Sequence, residues 1–367
     1  MQRTWGVSVF LGTGESPDKR RDYLGRAARL GARHVFTSCH VPEVPLDKVL
    51  AELGEMAQEA RSLGLEVTAD VAPKALEGMG ASPQNLAPVA GVGLAAVRLD
   101  YGFGAWEVAA LTQNPHDIRI VLNTSTVSPD FIAEALSAGA VADRLESCHN
   151  YYPRPETGLS TAGLVSSSRT FTSQGLRVSA FVPGSGSRRG PIFDGLPTVE
   201  KHRRLSAGLA AAELWATGAV QTVLFGDPFA TDEELKDVAR VCGLQPAVPL
   251  RVRLRPEISE MERQIALGPT HRNREDPAEL VVRSTTSRAY AAKGPGPGIA
   301  PLQPLARPRG TVTIDNADYL RYSGELQIAL FDLPADPRVN VAGEVIPEDL
   351  ALLEYIGGGQ GFVLLSV

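Results

Sequence analysis

A chain of 367 residues is longer than one ordinary hydrophobic core, so one large domain followed by a smaller one is the expected organisation. Its 43% hydrophobic and 21% charged residues are ordinary for a folded globular protein and argue against a disordered chain. A formal net charge of −6 removes any general electrostatic reason to bind nucleic acid or an anionic membrane.

The opening segment "MQRTWGVSVFLGTGE" has no positive leader region, no long apolar run and no small-residue cleavage site. No run of about 18 apolar residues occurs anywhere, so a cytoplasmic protein is expected. From Trp5 onward, short β-rich runs alternate with amphipathic stretches. The predicted strands are "GVSVFL", "HVFTS", "EVTADV", "AAVRLD", "IRIVLN", "RLESCHN", "RVSAFVPG" and "VQTVLFGD". Between them, "DKRRDYLGRAARLGA", "PLDKVLAELGEMAQEARSLGL", "PDFIAEALSAGA" and "TVEKHRRLSAGLAAAELWATG" carry apolar residues at helical spacing. Each strand needs a helical crossover to reach the next, which predicts parallel pairing. Eight such units in about 240 residues fit a (β/α)8 TIM barrel better than a doubly wound sheet.

Beyond about Leu250 the texture changes. The stretches "RVRLRPEI", "ELVVRSTTS", "GTVTIDN", "ELQIALFDL", "RVNVAGEVI" and "GFVLLSV" predict short strands, and helical periodicity nearly vanishes except around "PEDLALLEYIG". The expected division is residues 1–245 as a barrel domain and 246–367 as a small, mainly β domain that closes into a barrel. "AAKGPGPGIAPLQPLARPRG" predicts a long exposed loop inside it.

In a TIM barrel, chemistry sits at the carboxyl ends of the strands. The third strand, "EVTADV", ends near Asp70 and the fourth, "AAVRLD", ends at Asp100. Asp70 is in phase with Thr68, and Asp100 with Arg98, so neighbouring strand ends can present two carboxylates to one pocket. Glu146, in phase with Cys148 and Asn150 on the sixth strand, is a third acid. Paired carboxylates are what glycoside hydrolysis needs. The bland reading of Asp70 is a helix cap or an ion pair with Arg98 inside the barrel mouth.

The loop "FVPGSGSRRGPIFDGLPTVEKHR" offers glycines, Arg188 and Arg189 to an anion, before a helix expected to begin near Pro197. A solvated basic turn is the alternative, and no G-K-[ST] follows. The histidines at 34, 40, 116, 149, 202 and 271 show no recurring ligand spacing, so neither a metal nor a cofactor is expected. His149 is an acid or base candidate, or a loop-orienting hydrogen-bond partner. Cys39, Cys148 and Cys242 fit neither a disulfide framework nor a metal site and are expected as buried free thiols. No G-x-S-x-G supports a serine hydrolase.

"RLDYGF" (98–103), "HNYYPRPETGLS" (149–160), "FVPG" followed by "RGPIFDGLPTVEKHR", and "DNADYLRYSGELQIAL" (315–330) together resemble the bacterial 6-phospho-N-acetylmuramidases over nearly the whole chain. The resemblance implies a TIM barrel joined to a cyclophilin-like β domain, in a cytoplasmic recycler of cell-wall fragments. It implies hydrolysis of 6-phospho-N-acetylmuramyl-β-1,4-N-acetylglucosamine, with that phosphorylated disaccharide as partner and room left for a homo-oligomer. As hypotheses on that resemblance, Asp100 and Glu146 are the leading carboxylates and Asp70 their substitute. Asn123, His149, Asn150, Tyr152, Arg154, Glu156 and Gly184 are substrate contacts, with Arg188, Arg189 and Arg283 facing its anionic groups. The rivals are another phosphosugar enzyme on this barrel and a non-catalytic carbohydrate-binding protein. A Schiff-base aldolase is disfavoured, because none of the eight predicted barrel strands carries a lysine.

Overall fold

The computed structural model describes residues 2–39, 44–244, 246–291 and 298–367. Two compact units are present, Met1–Cys242 and Gly243–Val367. In the first, all eight predicted strands form: β1 (Thr4–Ser8), β2 (His34–Ser38), β3 (Glu66–Val71), β4 (Ala96–Leu99), β5 (Arg119–Asn123), β6 (Leu145–Cys148), β7 (Val178–Val182) and β8 (Thr222–Pro228). They pair in sequence order, all parallel, and β8 returns to β1 to close the barrel. Expected helices form at Pro17–Arg29, Leu46–Ser62 and Pro129–Ser137, the first and last capped by Ser16 and Ser128.

One expected helix differs. "TVEKHRRLSAGLAAAELWATG" divides into a 3-10 turn, Glu200–Arg204, and an α-helix, Ala207–Ala216. Ser206 adopts extended backbone, and its hydroxyl accepts from the Leu209 N–H, so a cap inside the apolar pattern starts the helix ten residues after Pro197.

The barrel interior is stacked by the period-two alternation of the strands. At the amino-terminal end lies a polar layer. Thr4 bonds His34 and Thr222 at 3.0 Å each, and Arg119 reaches Glu66 at 2.6 Å and Glu146 at 3.3 Å. Above it Phe36, Ala96, Val121, Cys148, Phe181 and Leu224 form a dry middle layer. The third layer is the mouth. Cys39 and Cys148 are buried thiols pushed up to about 12 by desolvation, while Cys242 is only half-buried.

The second unit is a seven-stranded mixed sheet: β9 (Val248–Leu254), β10 (His271–Arg272), β11 (Val281–Arg283), β12 (Thr311–Asp315), β13 (Leu326–Ala329), β14 (Val339–Val345) and β15 (Gly361–Ser366). Its order is β10-β15-β9-β14-β12-β13-β11, and an antiparallel bridge between Asn273 and Ser284 joins the two outer strands, so the sheet nearly closes. A helix, Glu260–Leu267, interrupts the expected all-β texture; its signal is a capping box between Ser259 and Glu262. "PEDLALLEYIG" forms a 3-10 helix, Pro347–Tyr355. Of the expected long loop, 292–297 lie outside the described residues, as does His40, and 298–306 carry no regular structure. No helix among the described residues is long and apolar enough to cross a membrane.

Candidate active site

Arg98 organises the mouth. It projects inward from β4, is 3% exposed, and sits in register opposite Asp70 on β3. Its Nη1 bonds Asp70 Oδ1 at 2.6 Å and lies 3.6 Å from Asp100 Oδ1. Nη2 donates to Asn150 Oδ1 at 2.6 Å and reaches the Cys148 carbonyl at 3.4 Å. Burial opposes the charge, but Asp70 first and Asp100 among the others raise the guanidinium's pKa above its ordinary value. One cation thus ties polar groups at the ends of three strands, β3, β4 and β6, together. Asn123, ending β5, donates to Asp100 Oδ1 at 3.2 Å, and Asp100 stays partly exposed, at 29% of its side chain.

On the opposite side, the loops after β6 and β7 form the wall. Tyr151 packs edge-on against Phe10, Phe36 and Phe181 at 5.2–6.3 Å between ring centres. Its hydroxyl accepts from Arg189 Nη1 at 2.6 Å, while the Arg189 guanidinium lies 4.3 Å over the Phe10 ring. Arg188 stands 3.7 Å from Asp194. Tyr152 reaches Ser125 at 3.4 Å, and Ser125 also accepts the Asn150 N–H. Arg154 is exposed on the same loop. The structure therefore gathers Asp70, Asp100, Asn123 and Asn150 around one guanidinium, and links Arg189 to the aromatic floor through Tyr151.

Five of the candidates lie away from the mouth or have polar groups already engaged within the protein. Glu146 faces the barrel interior, but at the amino-terminal layer, in register with Val121 and paired with Arg119. Four residues of strand rise place it roughly 13 Å below Asn150, under the dry middle layer. His149 points away from the mouth. It is fully buried, and its Nε2 bonds Ser168 of the helix Thr161–Thr172 at 2.9 Å, which is the loop-orienting role. Glu156 is exposed, with φ of 69°, and contributes its backbone N–H to Glu200 at 2.9 Å. The Gly184 N–H is taken by Asp227 Oδ2 at 3.0 Å and is not presented to an anion. Arg283 donates to Glu325 Oε1 at 2.7 Å within its own unit, so its charge is already met.

The buried His149 has a consequence in acid. Desolvation, then Arg98, lower its pKa to about 3 from 6.5. Between those values the unfolded chain takes up a proton that the folded one refuses, so stability falls as pH drops through the window. The expected slope is about 1.4 kcal/mol per pH unit from this one group. Thermal melts of wild type and His149→Gln from pH 7 to 4.5 check it; parallel curves would refute the assignment.

Sequence reasoning missed two organisers. Asp227, buried at the end of β8, accepts N–H groups from Gly184, Arg189 and Leu196 at 2.9–3.2 Å and so shapes the loop that carries Arg188 and Arg189. The signal was present, because "VQTVLFGD" ends on an acid just as the fourth strand, "AAVRLD", does. Glu200 accepts from Glu156 and Gly158, and its Arg203 partner binds the carbonyls of Tyr152 and Gly195, bolting the two wall loops together. That Arg203 bond, first among several causes, holds the Glu200 carboxyl down to about 2.

Residues 5–240 match the family described as "6-phospho-N-acetylmuramidase, N-terminal", and residues 248–365 match its C-terminal counterpart. No curated protein sequence matches. Among solved structures, an uncharacterised B. cereus protein is similar at 32% identity, with 100% of both chains covered and a TM-score of 0.88. A conserved Enterococcus faecalis protein of unknown function is 36% identical, covering 99% of this chain and 96% of its own, with a TM-score of 0.73.

Proposed function

This chain belongs to the 6-phospho-N-acetylmuramidase family and is a glycosidase, and from that premise we propose that it hydrolyses 6-phospho-N-acetylmuramyl-β-1,4-N-acetylglucosamine. The products are N-acetylmuramic acid 6-phosphate and N-acetylglucosamine, and the setting is cytoplasmic recycling of cell-wall fragments. One observation carries the reading: two carboxylates from adjacent strand ends share one buried guanidinium at the barrel mouth. Glycosidic cleavage needs one group that protonates the departing oxygen and one that attacks the anomeric carbon or activates water. Asp100, partly exposed, works at the glycosidic bond, and Asp70 is the second carboxylate, held by Arg98.

The anionic substituents point to the other wall. Arg189 offers a guanidinium braced by Phe10 and Tyr151, and Arg188 stands beside it on the same loop, so a phosphate approaching this side meets two forked donors. Asn123, Asn150 and Tyr152 contact sugar hydroxyls, and Arg154 meets the lactyl carboxylate.

Incubation with the phosphorylated and the unphosphorylated disaccharide, followed by mass spectrometry of the sugars, tests this. Hydrolysis of the phosphorylated compound with kcat/KM at least about a hundredfold higher is expected, because a site with paired charges penalises a ligand that leaves them unmet. Equal turnover of the two would remove phosphate recognition. Binding with no release of product would favour a carbohydrate-binding protein.

A further inference from the structure

A cavity of about 320 Å³ opens beside Asp100, on the side of the mouth away from Arg188 and Arg189. Its walls come from the ends of β4 and β5, the loops that follow them and the helices beyond, and include Tyr101, Phe103, Leu122, Val127 and Phe131. Leu122 alternates with the inward-facing Val121 and Asn123, so the cavity lies outside the barrel lumen, beneath those loops. Asp100, at its rim, is the one charged residue among the described residues lining it.

Three features restrict what this cavity accepts. Its volume is at the lower end of the roughly 300–1,000 Å³ typical of small-ligand pockets, enough for one sugar ring and not for two. Its aromatic side chains offer apolar faces of the kind that pack on the C–H surface of a pyranose, while Thr126 and Ser128 supply hydroxyls for hydrogen bonds. Among the described residues lining it there is no cation with which to meet a phosphate or a lactyl carboxylate. Around an eight-stranded ring, the loops after β4 and β5 lie two or three strands from the β7 loop that carries both arginines. A disaccharide with its phosphate toward Arg189 and its glycosidic bond at Asp100 therefore sends its uncharged ring toward this cavity.

On the proposed phosphomuramidase reading, we infer that the cavity bounded by Tyr101, Phe103 and Phe131 is the leaving-group subsite and binds the neutral N-acetylhexosamine. The acetamido methyl packs among Leu122, Val127 and Phe131, and the ring lies against Tyr101. Occupation of the subsite places the departing oxygen next to Asp100 and aligns the bond to be broken.

Product inhibition separates the two halves of the substrate. With the full-length enzyme and the phosphorylated disaccharide, inhibition constants are measured for N-acetylglucosamine and for N-acetylmuramic acid 6-phosphate, in wild type, Phe131→Ala and Tyr101→Ala. Tyr101 is 56% exposed, so its replacement leaves the fold intact if Phe131→Ala does not. The expected result is a rise of about tenfold or more in the constant for N-acetylglucosamine in either variant, with that for the phosphorylated product unchanged within about twofold. Equal rises for both products, or no rise for N-acetylglucosamine, would overturn the subsite. Failure of wild type to cleave the disaccharide would instead overturn the parent reading and this inference with it, and it shows before any variant is compared.

Discussion

Asp100→Asn should lower kcat on the phosphorylated disaccharide by about 10³–10⁴-fold while leaving the melting temperature close to wild type, the range expected when a positioned acid, base or nucleophile is removed. The amide keeps an oxygen for the Asn123 donor and the same volume, so packing at the rim is preserved. What it lacks is the charge that faces Arg98 at 3.6 Å and the capacity to exchange a proton or attack carbon. The informative control is Glu146→Gln. That carboxylate pairs with Arg119 below the middle layer, out of reach of a substrate at the mouth, so its replacement should cost stability and leave kcat nearly unchanged. A folded Asp100→Asn enzyme keeping more than a tenth of wild-type activity, or a Glu146→Gln enzyme losing a hundredfold, would reverse the placement of the chemistry.

Arg98→Met carries the second large effect, on the fold. Truncating the guanidinium strands the Asp70 carboxylate, 8% exposed, without its cation, and removes the donors to Asn150 and the Cys148 carbonyl. Removing one partner of a buried pair typically costs about 3–5 kcal/mol, since the remaining charge keeps its desolvation penalty without compensation. The melting temperature of the barrel unit should fall by roughly 10 °C. Asp70→Leu combined with Arg98→Met should recover most of this loss, because replacing both ions by apolar groups removes the stranded charge, and should recover no activity. An unchanged melting temperature for Arg98→Met would show that the pair carries little of the rim's stability.

The strand-end acids were legible because a β-strand alternates faces every two residues. Phase alone put Asp70 with Thr68 and Asp100 with Arg98, and their register across β3 and β4 follows from closing the barrel. The same reasoning selected Glu146, whose phase is also inward. Phase reports the face of a strand and carries no information on height along the barrel axis, so a residue of the polar bottom layer and one of the mouth read alike. His149 failed for the complementary reason. One position out of phase with Asn150, it turns toward the surrounding helices, where Ser168 meets it.

Eight parallel strands, their order and the change of texture after the barrel are written in local patterns, because helix and strand periods need only near neighbours to show. Asp227 against Gly184, 43 residues apart, and Arg98 against Asp70, 28 apart, are not written that way. Whether an N–H, a guanidinium or a carboxylate remains available to a ligand depends on which distant group has already satisfied it, and only the closed barrel brings those groups within hydrogen-bond reach. The glycine-rich loop illustrates the difference: its composition suggested a cradle for an anion, and folding filled that cradle with the protein's own carboxylate, Asp227, which takes the N–H groups of Gly184, Arg189 and Leu196.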